Sequence, residues 1–266
     1  MQLVVTGSSS GIGRFLVERL IEKGHHVWGL ARSDQSAHRS KSFSPVRCDV
    51  TKWEDVERAG REVQGPIGAL ICCAGIQGAV GFSMDLDAHA WSDTVRANID
   101  GTFFPMKAFY SRLIAGPGHG KALFFSGGGS TGPRAMFSAY GAAKTAIVRL
   151  AENLAVEARE KNHLIDINAI APGAIATAMT DEVLQMGPAL AGQKEYDAAK
   201  KTKDQSAEAT LGKVWGLIEV LLSSDSDGLS GKLISAPWDP WQSFAKTKGD
   251  LMKSDIFTLR RMVPPQ

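Results

Sequence analysis

Three cysteines in 266 residues are too few for a disulfide framework, and two of them, Cys72 and Cys73, are adjacent. With Cys48 they show no metal-ligand spacing with histidine, so no metal site is expected. They read as reduced, buried, structural thiols of a reducing compartment. Charge of one sign is also scarce. The net charge of +2 gives no footing for nucleic acid or an acidic membrane surface as partner. No apolar run approaches the roughly 20 residues that span a bilayer. Internal repeats, long linkers and low-complexity tracts are absent as well. Met1 leads directly into Leu3-Val4-Val5 and a glycine loop, so a signal peptide is not expected and a cytoplasmic protein is. What is left is an ordinary globular composition, 44% apolar and 22% charged. The length suits one large α/β domain.

Gln2 to Thr6 is a short apolar run, the length of a buried parallel strand. Gly7-Ser8-Ser9-Ser10-Gly11-Ile12-Gly13 follows, and then Arg14 to Glu22 with helical apolar spacing. Strand, glycine loop and helix in that order suit a dinucleotide. The glycines let the backbone approach phosphates, and the helix N-terminus offers free N–H groups and a positive dipole. A second strand, about His26 to Leu30, ends at Ala31-Arg32-Ser33-Asp34. Further short strands are expected over Val46–Cys48, Ala69–Cys73, Ala122–Phe125, Asp166–Ile170 and Lys232–Ser235. Residues 35–44 read as a polar loop.

Tyr140-Gly141-Ala142-Ala143-Lys144 places a phenol and an ammonium one helical turn apart on the same face. A neighbouring cation lowers a phenol's pKa, and such a pair can exchange a proton with a carbonyl or an alcohol near neutral pH.

Thr6-Gly7-x-x-x-Gly11-Ile12-Gly13, followed far downstream by Tyr140-x-x-x-Lys144, resembles the short-chain dehydrogenase/reductase family. The resemblance covers about residues 1–235. It implies a Rossmann-type doubly wound parallel sheet in a single domain, with strand order 3-2-1-4-5-6-7. It also implies a nicotinamide cofactor held by Gly7, Ser9, Ser10, Gly11, Ile12 and Gly13, and hydride exchange between a carbonyl and a secondary alcohol. The family's usual acidic position at the end of the second strand falls on Ala31, with Arg32 next, so NADP(H) is favoured over NAD(H). Asp34 keeps NAD possible. By resemblance Asp49 and Val50 would bind the adenine. Cys72-Cys73-Ala74-Gly75 stands where the family reads Asn-Asn-Ala-Gly, and Ala74 and Gly75 keep the close approach to the ribose.

For catalysis the resemblance implies Tyr140 as general acid/base and Lys144 as its activator and a ribose ligand. Asn98 is the candidate for a proton relay. The family's catalytic Ser lies about 13 residues before the Tyr, a position held here by Gly127. Ser126, one residue earlier, is the first candidate for that role and Ser130 the second. Pro172, Gly173, Ile175 and Thr177 would cover the nicotinamide. Residues 178–205 would form a substrate lid: Met179, Met186, Leu190 and Tyr196 are candidate pocket residues, and Lys194, Lys200, Lys201 and Lys203 either meet an anionic substrate or face solvent. The C-terminal segment 236–266 is atypical. Trp238 and Trp241 there would line the pocket, seal a subunit contact or pack the tail. A homodimer or homotetramer acting on a small-molecule substrate is the expected assembly. A non-catalytic NADP-binding sensor is the alternative; a sugar-nucleotide epimerase fits the glycine spacing less well.

Overall fold

Short apolar runs separated by amphipathic ones force the chain to alternate strand and helix, because each strand has two faces to bury. The computed structural model describes residues 1–36, 38, 40–116 and 118–262. Residues 37 and 39 of the polar loop and residues 263–266 of the C-terminal segment lie outside the described residues. Seven strands form the sheet: β1 (Gln2–Thr6), β2 (His26–Ala31), β3 (Phe43–Arg47), β4 (Ala69–Cys72), β5 (Gly120–Phe125), β6 (Ile165–Ala171) and β7 (Leu233–Ser235). All pairs are parallel and the order is β3-β2-β1-β4-β5-β6-β7, as expected. The helices are α1 (Gly11–Glu22), α2 (Trp53–Glu62), α3 (Ala88–Leu113), α4 (Ser138–Glu160), α5 (Ala178–Ala191), α6 (Gln193–Lys203), α7 (Ala207–Leu222) and α8 (Phe244–Met252).

The strand side chains alternate between two cores. Leu3 and Val5 of β1 join Leu16 and Leu20 of α1 and Leu217 and Leu221 of α7 on one face. Val4 points to the other face, where Phe109 of α3 and Ile147 and Ala151 of α4 close over Leu70 and Phe124. The doubly wound arrangement brings the loops after β1, β4, β5 and β6 to one edge, the carboxyl ends of the strands, where such folds hold ligands.

The clearest boundary correction is β3, which starts at Phe43 and ends at Arg47 instead of spanning Val46–Cys48. Pro45 lacks an N–H and argues against a strand, but β3 is an edge strand paired with β2 alone, where a missing donor costs nothing. Elsewhere β4 stops at Cys72, β5 begins at Gly120, and β6 gains a residue at each end. Segment 178–205 forms two helices, α5 and α6. They are separated by Gly192 at φ 79°, and Gly187 at φ 72° interrupts α5. In the C-terminal segment the two tryptophans part ways. Trp241 is buried, its Nε1 donates to the Ala236 carbonyl at 2.9 Å, and its ring lies on Gly216 of α7. Trp238 is 85% exposed.

At the opposite end of the sheet, Lys121 of β5 is paired in register with Asp166 of β6. Its buried Nζ donates to Asp166 at 2.7 Å, to Asp227 at 2.6 Å and to Ser226 at 3.2 Å. Removing one member of a buried ion pair strands the other charge in a low-dielectric environment. Lys121→Met is therefore expected to lose about 3–5 kcal/mol of stability, measured by urea unfolding with an unchanged slope.

Candidate active site

The loop between β1 and α1 is shaped by contacts that admit no side chain. A Cβ on Gly7, which has φ 67°, would lie 2.9 Å from the Ala74 amide nitrogen, and one on Gly13 would lie 2.3 Å from the Gly7 carbonyl oxygen. The α1 N-cap, Ser10, makes no side-chain capping bond, and the first turn carries no acid. The N-terminal amides of α1 thus remain free for an anion. Thr6 Oγ1 accepts from the Ala74 amide at 3.1 Å and ties the loop after β4 to this cradle. Gly11 faces Thr177 across it, a Cβ there lying 3.9 Å from Thr177 Cγ2. Glycine loop, Ala74-Gly75 and the Pro172–Thr177 segment therefore border one cleft, and a dinucleotide fits the donors and the space it offers.

At the end of β2, Ala31 is buried and Arg32 is exposed, with no side-chain hydrogen bond or ion pair among the described residues. Asp34 is exposed past the strand end. Its carboxylate accepts from the Ser36 hydroxyl and amide, which hold its pKa below the usual carboxylate value. Two residues that carried no sequence signal stitch this loop to the glycine loop. Gln35 is buried, accepts from Ser8 Oγ and donates to the Gly29 carbonyl at 3.0 Å; His38 Nε2 donates to the Ser8 carbonyl at 3.1 Å. After β3, Asp49 accepts from Thr51 Oγ1 at 2.7 Å, and Val50 packs against Gly101 of α3.

Helix α4 carries Tyr140 and Lys144, both buried. Lys144 Nζ donates to the Phe125 carbonyl at 3.0 Å and sits 5.4 Å from the centre of the Tyr140 ring. Burial lowers the Lys144 pKa to about 8. Burial also pushes the Tyr140 phenol up, partly offset by the Arg134 guanidinium. This corrects the expectation of a phenol lowered by its neighbour: Lys144 points its donor at the Phe125 carbonyl, and desolvation dominates both groups. Asn98 of α3 is buried beside them. Its Nδ2 donates to the Ile76 carbonyl at 3.1 Å and the Thr94 carbonyl at 2.9 Å, while Oδ1 has no partner among the described residues. A Cβ on Gly75 would lie 2.8 Å from that Oδ1 and 3.3 Å from Lys144 Nζ, so the three groups converge.

Ser126 is placed otherwise than expected. Its hydroxyl donates to the Lys144 backbone carbonyl at 3.1 Å, and its amide donates to the Ile170 carbonyl. The next residue faces the phenol instead: a Cβ on Gly127 would lie 2.7 Å from Tyr140 Oη. Ser126 also lines the cavity that Tyr140 lines, but its hydroxyl is engaged by the Lys144 carbonyl. Ser130 is buried at the wall of the same cavity.

The cavity has a volume of about 760 Å³ and is bordered by Tyr140, Gly127, Ser130, Pro172, Thr177 and Trp238 among others. Of the segment 178–205, Met179, Thr180, Val183, Glu195, Ala198, Ala199 and Thr202 reach it; Met186, Leu190 and Tyr196 do not, and the four lysines are exposed. Arg134, another residue without a sequence signal, stacks on Phe137 at 3.8 Å and pairs with Glu195 of α6 at 2.7 Å. A separate groove of about 540 Å³ between α2 and α3 holds none of the expected site residues.

Residues 2–187 match the family model of the short chain dehydrogenases. The chain belongs to the short-chain dehydrogenase/reductase family. The chain is 30% identical to the 3-oxoacyl-(acyl-carrier-protein) reductase MabA of Mycobacterium tuberculosis, over 87% of this chain and 89% of the relative. It is 28% identical to dehydrogenase/reductase SDR family member 4 of Bos taurus, over 87% and 84% respectively. In fold it is similar to a short-chain dehydrogenase/reductase of Saccharomyces cerevisiae, with a TM-score of 0.79 at 23% identity over 91% of this chain and 98% of that one. The family is one of oxidoreductases, and the relatives include reductases.

The placement of Ser126 has a measurable consequence. Ser126→Ala should lose about 1 kcal/mol of stability, one ordinary hydrogen bond, and change kcat by less than about tenfold. A kcat loss of about 10²–10³-fold, the cost of removing a donor to the reacting oxygen, would return that role to Ser126.

Proposed function

We propose that the protein interconverts a carbonyl and a secondary alcohol on a small molecule, with NADP(H) as the favoured cofactor. The observation that carries this reading is the meeting of Lys144 Nζ and Asn98 Oδ1 over Gly75, with the Tyr140 ring 5.4 Å from that Nζ and itself on the wall of a cavity that Ile12 of α1 also lines. The nicotinamide, when bound, supplies or accepts the hydride. Tyr140 Oη gives a proton to the carbonyl oxygen in reduction and takes it back in oxidation. Its raised pKa keeps it protonated and ready as an acid. Lys144 holds the ribose hydroxyls and steadies the phenolate as it forms; a pKa of about 8 leaves it charged at neutral pH. Asn98 Oδ1 accepts a hydrogen bond from a water that connects Lys144 to solvent, the route by which the phenol regains its proton. Ser126 acts at one remove, by fixing the backbone of the Lys144 turn.

Gly7, Ser9, Ser10, Gly11, Ile12 and Gly13 cradle the pyrophosphate, while Ala74 and Gly75 lie under the ribose. Asp49 and Val50 border the adenine. Pro172, Gly173, Ile175 and Thr177 cover the nicotinamide. Arg32, exposed beyond a strand end with alanine in the acidic position, binds the 2′-phosphate. The helices of segment 178–205 cover the substrate, and Trp238 stands at the mouth of its cavity. Among the described residues no helix is long and apolar enough to cross a membrane. The three free thiols suit a reducing compartment, the cytoplasm, and a homodimer or homotetramer is the assembly the family resemblance supports.

Gly127 in the place that faces Tyr140 favours one rival, a nucleotide-binding protein without turnover. NADPH consumption over a panel of ketones and aldehydes separates the two. Tyr140→Phe should lower kcat by at least about 10³-fold while the NADPH dissociation constant stays within about twofold, measured by fluorescence titration. Undiminished turnover would sink the mechanism. Arg32→Ala should weaken NADPH binding by about tenfold or more and leave NADH binding unchanged, because it removes a charge-assisted contact to the 2′-phosphate alone.

A further inference from the structure

After α8 the chain turns back across the free edge of β7, where the Leu233 amide donates to the Phe257 carbonyl at 2.7 Å. Phe257 and the next residue, Thr258, border the same cavity as Tyr140, and so do Leu233 and Ser235 of β7. Phe257 has φ 60°. That left-handed region is costly for a bulky side chain, and a residue stays there only where its surroundings over-determine it.

Two buried charged side chains supply the constraint, and the proposed mechanism uses neither. Lys232 of β7 donates its Nζ to the Ser254 carbonyl at 2.8 Å and to the Ile256 carbonyl at 3.0 Å, just before Phe257. Glu152 of α4 accepts from the Leu259 amide at 2.7 Å, just after Thr258. It also pairs with Arg149 and, at 3.3 Å, with Arg260. Arg149 in turn donates to the Leu259 carbonyl at 2.7 Å. Lys232 has no carboxylate within ion-pair distance among the described residues, so a buried ammonium is spent on two backbone carbonyls. That is a costly way to hold a tail that merely packs. The bonds from Lys232 and the Leu259 bonds fall on backbone atoms on either side of Phe257 and Thr258, so they fix the course of the chain at these two residues. We infer that Phe257 and Thr258 are specificity-determining residues that limit the length of substrate the cavity admits, and that Glu152 and Lys232 are positioning residues that hold them there. This rests on the reading of the protein as a carbonyl reductase.

The test compares butanone with 2-nonanone, each with NADPH. Phe257→Gly accepts φ 60° without strain, keeps the clasp and removes the ring. The kcat/KM ratio of 2-nonanone to butanone should rise in it by about tenfold or more, through KM, since each methylene that an apolar pocket admits is worth roughly that much. Glu152→Ala and Lys232→Met release the segment and should raise the ratio likewise, with the NADPH dissociation constant within about twofold of the natural protein's. In these two variants amide hydrogen exchange at Leu259 should quicken by about tenfold or more. An NADPH titration reports which variants are folded. A ratio unchanged in folded Phe257→Gly overturns the specificity role. A ratio or an exchange rate unchanged in folded Glu152→Ala or Lys232→Met overturns the positioning role. If no ketone is reduced, the carbonyl-reductase reading fails by itself. Ligand-observed NMR with NADP present then decides the inference: 2-nonanone binding that strengthens against butanone in Phe257→Gly supports it, and unchanged relative binding refutes it.

Discussion

An ammonium group with almost no exposure at the end of a parallel sheet is the constraint around which the site is built. Lys144 has three donors and, among the described residues, one hydrogen bond, to the Phe125 carbonyl. Burial lowers its pKa to about 8, so the fold holds the charge at a cost instead of gaining from it. Beside it Asn98 Oδ1 is an acceptor without a donor. The two deficits are complementary: donors and an acceptor meet over a glycine, Gly75, that leaves them room. A ribose hydroxyl, at once donor and acceptor, matches that arrangement, which is why a buried lysine here reads as a binding group and not as a packing accident. The structural lysine at the other end of the sheet makes the contrast. Lys121 has three oxygen partners and is fully satisfied.

Much of this architecture is legible in the chain because it is written at short range. A five-residue strand around Leu3-Val4-Val5, a glycine loop and an amphipathic helix are local patterns, and so is the one-turn spacing of Tyr140 and Lys144. The sheet order follows from the family resemblance those patterns support. β3 misleads by its own local chemistry: Pro45 reads as a breaker, and only the strand's position at the edge of the sheet removes the objection. Gln35, Arg134 and Glu195 are silent in the sequence because each acquires meaning from a partner or a cavity contributed by distant parts of the chain. Arg134 and Glu195, for instance, are 61 residues apart. The misplacement of Ser126 has a different origin. Spacing along the sequence is a count of positions, but what a hydroxyl does depends on its partner, and the partner of Ser126 Oγ is a backbone carbonyl 18 residues away.

The glycine at position 127 changes the chemistry expected of the cleft. A Cβ there would fall 2.7 Å from Tyr140 Oη, so the phenol already occupies the space where a side chain would begin. A donor to the reacting oxygen contributes to rate only when it is fixed in place beforehand. With no hydroxyl from position 127, the phenol proposed as the acid would act with less help at that oxygen. More of the burden of orienting the substrate then falls on contacts farther from the reacting carbon, whose binding energy can serve to position it.

Those contacts lie on the wall formed by the loop after β4 and by α5 and α6. The ion pair between Arg134 and Glu195 is partly sheltered and joins the loop before α4 to α6, so the covering helices are fastened to the same segment that carries the phenol. Its second effect is electrostatic. A lone guanidinium over Tyr140 would favour an anionic substrate, but its pairing with Glu195 removes that preference, and the wall also carries Asp239. The lysines of α6, the residues in this segment that suggest an acidic ligand, stand in solvent, and Lys203 is engaged with Asp181 of α5. Among the described residues the wall therefore holds one carboxylate without a paired cation, Asp239, and otherwise neutral hydrogen-bonding groups, which discriminate by the presence and position of an oxygen rather than by charge.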